Sequence, residues 1–237
     1  MENFKNQLKM LLLGDQHAVM ERLKRDFANY ETLKTDKSFA VLTGKRAKPF
    51  ICVHLDTIND HRYGALQEKD IEEQDGLLFL SSESAAACLG GDDRCGLAIA
   101  LNLIETEKYH FGFFLDEEIG RLGSHECHLS SVINRITCFI GLDRRNTVRG
   151  ESEFASYGYD NHELAEKLTA DWKNLESGSS TDCKTLAEKY DLACYNLSVG
   201  YRYEHTQKEY IYVPDAYYTC IKLKNLEWDE GVYPCQI

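Results

Sequence analysis

The sequence predicts an α/β fold: a three-layer αβα sandwich around a mixed, mostly parallel sheet. Two observations predict it. Short, almost uninterrupted apolar runs recur at 38–43 (SFAVLT), 49–55 (PFICVHL), 111–115 (FGFFL), 136–142 (ITCFIGL) and 193–199 (ACYNLSV). Runs of this length without polar alternation read as strands buried on both faces. Between them lie longer stretches of helical spacing, near 93–107, 125–134, 160–175, 181–190 and 214–228. That alternation is the pattern of a sheet carrying helices on both sides.

Each element has its own signal. Two amphipathic helices open the chain, at about 2–13 and 15–29, the second with Ala18, Met20, Leu23 and Phe27 near helical spacing. Asp75-Gly76, just before LLFL, marks a hairpin. In LGGDDRCGLAIAL, Asp92 precedes an apolar helix and suits a cap or first-turn acid. There is no internal repeat, low-complexity tract or Pro/Ser-rich linker, so residues 1–237 read as a single domain.

Bulk properties remove several classes of function. Hydrophobic content of 43%, with 3 Pro and 16 Gly in 237 residues, is that of an ordinary globular protein. A net charge of −12 argues against non-specific nucleic-acid binding, which needs a basic footprint. No apolar run approaches the ~20 residues of a membrane helix. MENFKNQLKMLLLGD lacks the pattern of a signal peptide, and YPCQI places its Cys wrongly for prenylation. The nine Cys form no CxxC and are odd in number, which fits neither a disulfide framework nor a zinc finger. Cys52, Cys138 and Cys194 sit inside apolar runs as small hydrophobes. A reducing, cytoplasmic compartment is the expectation.

The chemistry gathers where strands end. FGFFL runs into Asp116-Glu117-Glu118, and no Lys or Arg follows until Arg121. Burying adjacent carboxylates costs several kcal/mol each unless positive charge stands beside them. PFICV likewise ends in His54-Leu55-Asp56, and ITCFIGL in Asp143. In open α/β sheets the carboxyl edge is where ligands bind. Singly, each residue has a plain structural reading: His54 a hydrogen-bonded core histidine, Asp92 or Asp93 an N-cap, Glu117 and Glu118 solvated loop acids. Together they would repel one another and raise their own pKa values unless cations neutralise them. Imidazole among carboxylates suits Zn²⁺, Mn²⁺ or Co²⁺ better than Ca²⁺ or Mg²⁺. His54 and Asp56 share a strand face, so Asp56 can accept the second ring N–H of His54 and orient it. Glu117 and Glu118 diverge, so one can ligate while the other takes a proton from water.

Taken in order, HxD, GGDDRxG, DEEIG and GLD resemble the co-catalytic zinc exopeptidases. That group includes peptidase T, the bacterial leucyl aminopeptidases, the tetrahedral aminopeptidases and the glutamate carboxypeptidases. The resemblance runs from about residue 49 to 215. It implies that Asp92 bridges two ions and is followed by a cis peptide, that Glu117 is the general base, and that Glu118 and Asp143 are ligands. VGYRYEHTQKEY (199–210) resembles the segment carrying the last ligand and implies His205; GSSTDC (178–183) resembles a loop lining the site. The implied sets are His54, Asp92 and Asp143 for one ion, and Asp92, Glu118 and His205 for the other. Zinc is the implied metal, with cobalt or manganese as alternatives. Many relatives carry an inserted lid domain. The intervals from 54 to 92 and from 143 to 181 span only 38 residues each, which implies the lid-less form.

The implied activity is hydrolysis of short peptides, and the lid-less relatives favour an aminopeptidase. A metallo-carboxypeptidase or a deacylase of N-acyl amino acids is the alternative among enzymes. A catalytically dead binding module is the alternative outside them, although every base and ligand position is filled. For substrate binding, Arg144 or Arg202 could clamp a carboxylate, while Asp182 or Glu151 could hold an ammonium. The bland reading of Arg94, Arg144, Arg145, Arg149 and Arg202 is that they balance the acids. His125-x-x-His128 lacks further ligands and reads as surface helix. Gly90, Gly91 and Gly96 lack the Gly-Lys-Ser/Thr of a phosphate loop. The Tyr-rich 201–218 reads as core and cleft rim, not as a base-stacking surface. Cys183 lacks the orienting groups of a nucleophile. The sequence leaves the oligomeric state open.

Overall fold

In each buried strand, alternate side chains feed two cores. Phe50 and Cys52 of one strand pack on one side of the sheet, while Ile51 and Val53 pack on the other. The neighbouring strand sends Phe111 and Phe113 to the second side and Phe114 to the first. This is why the apolar runs show no polar alternation: both faces are dry. The computed structural model describes the chain except for residues 176, 177, 179, 230 and 237.

Strands β1 (Glu31–Lys34), β2 (Ser38–Leu42) and β3 (Lys48–His54) precede a hairpin of β4 (Ile71–Gln74) and β5 (Leu77–Leu80). Then come β6 (His110–Phe114), β7 (Ile136–Arg144), β8 (Glu153–Ser156), β9 (Lys173–Leu175) and β10 (Cys194–Ser198). The large sheet has the order β1-β2-β6-β3-β7-β10-β8-β9. Its centre, β6-β3-β7-β10, is parallel, while β2 and β8 join it antiparallel. The sheet is mixed and mostly parallel, as the apolar runs predict.

Helices α1 (Glu2–Leu12), α2 (Gln16–Asp26), α4 (Gly91–Leu103) and α8 (Val213–Asn225) bury Leu8, Met20, Leu97 and Leu223 against one face. The short α3 (Ile58–Arg62) follows β3. Helix α7 (Asp182–Tyr190) covers the other face through Leu186 and Ala187, and α6 (His162–Thr169) turns Leu164 and Leu168 inward. No helix among the described residues is long and apolar enough to cross a membrane.

Two stretches depart from the expected helices. The 125–134 segment is helical only at its start, in α5 (Leu122–Glu126), and forms a 3₁₀ turn at Ile133–Arg135. In between, buried Cys127 and Leu129 alternate with exposed His128 and Ser130, and that period of two draws the backbone out of helix. The 160–175 segment leaves helix at Thr169, and its last residues form β9, parallel to β8. The hairpin expected at Asp75-Gly76 is present, but as half of a second, antiparallel sheet whose other two strands had no signal in the sequence. There the β4–β5 hairpin, turning at Asp75 (φ 52°) and Gly76 (φ 79°), is extended by β12 (Tyr210–Tyr212) and β11 (Tyr201–Arg202). Strands of two and three residues are too short to show alternation.

At the start of β6, His110 is fully buried. Its Nδ1 accepts the Thr43 N–H at 3.1 Å, and its Nε2–H donates to the Arg46 carbonyl. Burial, with Lys48 and Arg135 nearby, pushes its pKa down to about 4. The unfolded chain therefore binds this proton between about pH 4 and 6.5 and the folded chain does not, so the stabilisation is complete above ~6.5 and lost on acidification. Between pH 7 and 4.5 the wild type should lose about 2 kcal/mol more unfolding free energy than His110→Asn in denaturant titrations. Equal losses would show that His110 is not held neutral.

Candidate metal centre and active site

Parallel neighbours β6, β3 and β7 end together, so the residues just past each strand meet at one edge of the sheet. His54 is in register with Phe114, and the Leu55 N–H donates to the Phe114 carbonyl. Strand β3 delivers His54, the loop after β6 delivers Glu117 and Glu118, and β7 delivers Asp143. Asp92 enters from the first turn of α4, where Asp92 and Asp93 have non-helical backbone and the peptide between them is cis. His205 comes from the β11–β12 connection of the small sheet and itself adopts φ 62°. A side chain held there at a cost of about 1–3 kcal/mol must be fixed by its surroundings.

The Asp92 carboxylate stands between two clusters. Its Oδ1 lies 3.0 Å from His54 Nε2, and Asp143 Oδ1 is 3.5 Å from the same nitrogen. Its Oδ2 lies 3.1 Å from His205 Nε2, which is 2.7 Å from Glu118 Oε1. Glu118 Oε1 is buried and makes no well-aligned hydrogen bond despite that approach. Asp143 is held in place by its N–H on Asn196 Oδ1 (2.9 Å) and by the Thr181 hydroxyl on its Oδ2 (3.0 Å). The Tyr201 hydroxyl reaches its Oδ1 at 3.3 Å.

Asp56 has more partners than an imidazole alone. The Nδ1–H of His54 donates to the Asp56 carbonyl at 3.0 Å and lies 3.3 Å from its carboxylate. That carboxylate accepts the N–H groups of Glu117 (2.9 Å) and Glu118 (3.0 Å) and the Nε2–H of His61 (2.8 Å). Burial opposes its charge, but His54, His61 and the Glu117 amide hold its pKa well below the usual carboxylate range. One aspartate therefore fixes the ring of His54 and the backbone of both glutamates.

The other carboxylates are pushed the opposite way. Burial raises Glu117 to about 9, His54 opposing and Asp143 adding repulsion. Burial and Asp92 raise Asp143 to about 7, and burial also lifts Glu118 and Asp93. Asp92 and Glu118 raise the His205 imidazole to about 11. His54 stays well above its usual value although burial disfavours its charge, because Asp143, Asp56 and Asp92 surround it. The edge holds more negative charge than its surroundings can neutralise, and it captures protons wherever it can.

His54, Asp92 and Glu118 offer ligand atoms close enough for one cation, as do His54, Asp93 and Asp143. Buried Asp93 Oδ2 has no hydrogen-bond partner. This donor set fits a divalent ion. A third grouping, Asp56, His61 and Asp116, is already satisfied: Asp116 pairs with Lys37 at 2.9 Å and accepts from Gln16 at 3.0 Å.

A cavity of about 350 Å³ opens over the cluster, lined by Asp92, Glu117, Glu118, Asp143, Arg144 and His205. Arg202 is off this wall, in the neighbouring recess, where it donates to the Tyr210 hydroxyl at 3.2 Å. Asp182 is also off it, 2% exposed at the start of α7, with burial pushing it up to about 6. Glu151 pairs on the surface with Lys173. Gly178 and Ser180 of the 178–183 loop line the cavity, while Ser179 lies outside the described residues. Cys183 is buried, and burial holds its thiol well above the usual range. His128 Nδ1 lies 3.2 Å from Lys189 Nζ, and no cluster of candidate ligands among the described residues includes it.

Sequence reasoning missed two supports. Glu209, 1% exposed, accepts the N–H of Gly90 (2.8 Å) on one oxygen and that of Asp92 (3.2 Å) on the other. Its place in HTQKE, four residues after His205, was the available signal. Arg94, 1% exposed, donates to the Leu55 carbonyl between His54 and Asp56 and to Gly14 of the N-terminal segment. No motif announces such a tie.

No known family profile matches the chain, and no curated protein matches it in sequence. Solved structures do match. Aminopeptidase PepT from Bacillus cereus superposes with a TM-score of 0.71 at 13% identity, covering 94% of this chain and 96% of that one. A tripeptidase from Staphylococcus aureus gives 0.72 at 12% identity over 95% and 97%. An aminopeptidase from the archaeon Desulfurococcus kamchatkensis gives 0.66 at 12% over 97% and 96%. The chain has the fold of these peptidases.

Within this fold the seam between α4 and β7 leaves no room at Gly96. A Cβ there would stand 2.0 Å from the Leu142 carbonyl oxygen and 2.4 Å from Asp93 Oδ1. The first is backbone adjoining Asp143 and cannot swing aside. Gly96→Ala should therefore cost about 3 kcal/mol or more in denaturant unfolding, at the upper end of overpacking effects. A change below ~1 kcal/mol would mean that helix and strand are not in this register.

Proposed function

We propose that this chain is a metal-dependent exopeptidase that removes residues from the free amino end of short peptides. The observation that carries the reading is the position of Asp92, each of whose oxygens faces a separate imidazole–carboxylate pair. His54, Asp92 and Asp143 would hold one ion, and Asp92, Glu118 and His205 the second, with zinc the best match to imidazole and carboxylate donors. Such ions polarise a scissile carbonyl and lower the pKa of a bound water.

Glu117 is the group left to move protons. It lines the cavity, and its backbone is pinned by Asp56 while its side chain has no assigned ligand role. With Asp92 and Asp143 neutralised, the repulsion that helps raise its pKa is removed, and its carboxylate can accept a proton from water. The same oxygen then returns that proton to the leaving amine. Asp56 keeps His54 in one orientation throughout.

The amino-end direction is supported by the names of the fold's neighbours, which include aminopeptidases and a tripeptidase. It is also supported by Glu204, a cavity-lining residue whose buried Oε2 has no hydrogen-bond partner and could accept from a substrate ammonium. We read residues 1–237 as a single catalytic domain without a lid. All nine cysteines are free thiols, in keeping with a cytoplasmic protein.

Neighbouring glutamates with opposite assignments supply the test. In metal-loaded protein, Glu117→Gln should lower turnover about 10²–10⁴-fold with metal content and Tm unchanged. Glu118→Gln should lower metal affinity along with rate. Metal loss on Glu117→Gln with retention on Glu118→Gln would reverse the roles. Full activity of Glu117→Gln would remove the general base from the account.

A further inference from the structure

The arginines around the site are not equivalent. Arg145 is paired with Glu204, and Arg149 stacks 4.0 Å over the Tyr212 ring. Arg202 donates to Tyr210, Arg121 to the Thr185 hydroxyl, and Arg94 is buried within the fold. Arg144 differs from all of them. It lines the catalytic cavity, its guanidinium has no hydrogen-bond or ion-pair partner among the described residues, and its Nε is buried.

A buried cationic donor left without an acceptor is unfavourable by more than a neutral one would be. A guanidinium presents parallel N–H groups that match a carboxylate edge to edge. The Arg144 backbone is fixed at the end of β7, where its carbonyl accepts the Val199 N–H at 3.0 Å. In the same lining, Gly178 lies so flat on the Tyr157 ring that a Cβ would come within 2.4 Å of it. Arg144 and Asp143 line the same cavity, so a group bound by Arg144 shares that cavity with an amide held over Asp143.

We propose that Arg144 anchors a substrate carboxylate in the cavity that holds the scissile amide. Resting on the peptidase reading, this narrows the substrate to peptides with a negative charge at that place. The carboxylate is either the carboxyl end of a di- or tripeptide or an acidic side chain in a longer one. Balancing of the acidic cluster, the bland role for this arginine, would give no such dependence on substrate charge.

The test compares metal-loaded wild type, Arg144→Gln and Arg144→Lys on four probes: trialanine, its carboxy-amide, its amino-acetyl form, and Ala-Glu-Ala amide. In the wild type, kcat/KM for trialanine should exceed that for its amide by about 10- to 100-fold, the value of one charge-assisted pair. That ratio should fall to within about three-fold in Arg144→Gln and stay intermediate in Arg144→Lys. If Ala-Glu-Ala amide instead regains the advantage over trialanine amide, the anchored group is the side chain. Equal rates on all charged and uncharged forms, or a preference that survives Arg144→Gln, would overturn the proposal. Resistance of the acetyl form bears on cleavage direction alone. Should no peptide be cut, calorimetric binding of the same probes to the Glu117→Gln holoenzyme, with and without Arg144→Gln, still decides. Binding that needs both the carboxylate and Arg144 upholds the anchor and refutes only the peptidase reading. Binding indifferent to either, or no binding, overturns the anchor.

Discussion

Everything at the carboxyl edge of the sheet depends on the Asp92 carboxylate, whose two oxygens face two different imidazoles. A carboxylate so placed cannot be satisfied by either cluster alone. It is 8% exposed and stands among Asp93, Glu118 and Asp143, which burial pushes above their ordinary pKa values. Its own pKa is held well below the usual range by His205 and His54, against the effect of burial. Such an arrangement is stable only with positive charge shared on both sides, whether on protons or on cations.

The rest of the molecule can be understood as the means of holding that carboxylate still. Glu209 takes the N–H groups on either side of the turn into α4, so the backbone of Asp92 cannot rotate away. Gly96 lets α4 close on β7 at the level of Asp143, which brings Asp92 and Asp143 to the same edge. Asp56 ties β3 to the loop after β6, coupling the His54 imidazole to the backbone of Glu117 and Glu118. These contacts act between elements distant in sequence, so the site is a product of the tertiary fold and not of any one motif.

That division explains what the sequence made legible. The central strands were readable because burial on both faces removes polar interruptions, and the clustering of His54, Glu117, Glu118 and Asp143 followed from a parallel sheet gathering its strand ends, with Asp92 added from the first turn of α4. His205 could be selected only by motif resemblance: the sheet that carries it has strands of two and three residues, below any periodic signal. The 125–134 stretch departs from helix because buried Cys127 and Leu129 sit two apart, a period that a helix face does not share. Arg94 and the second function of Asp56 were invisible, since a buried arginine bonding to carbonyls leaves no local pattern. The five arginines near the site looked alike in sequence and separated only when their partners were seen.

Anomalous diffraction at the zinc edge, on crystals of chelator-stripped and then zinc-loaded protein, addresses the proposed bridging role of Asp92 most directly. Two peaks about 3.5–4 Å apart are predicted, one beside His54 and Asp143, the other beside Glu118 and His205, with Asp92 between them. A single peak, peaks that leave Asp92 uncontacted, or zinc only at His125 and His128 would contradict the account.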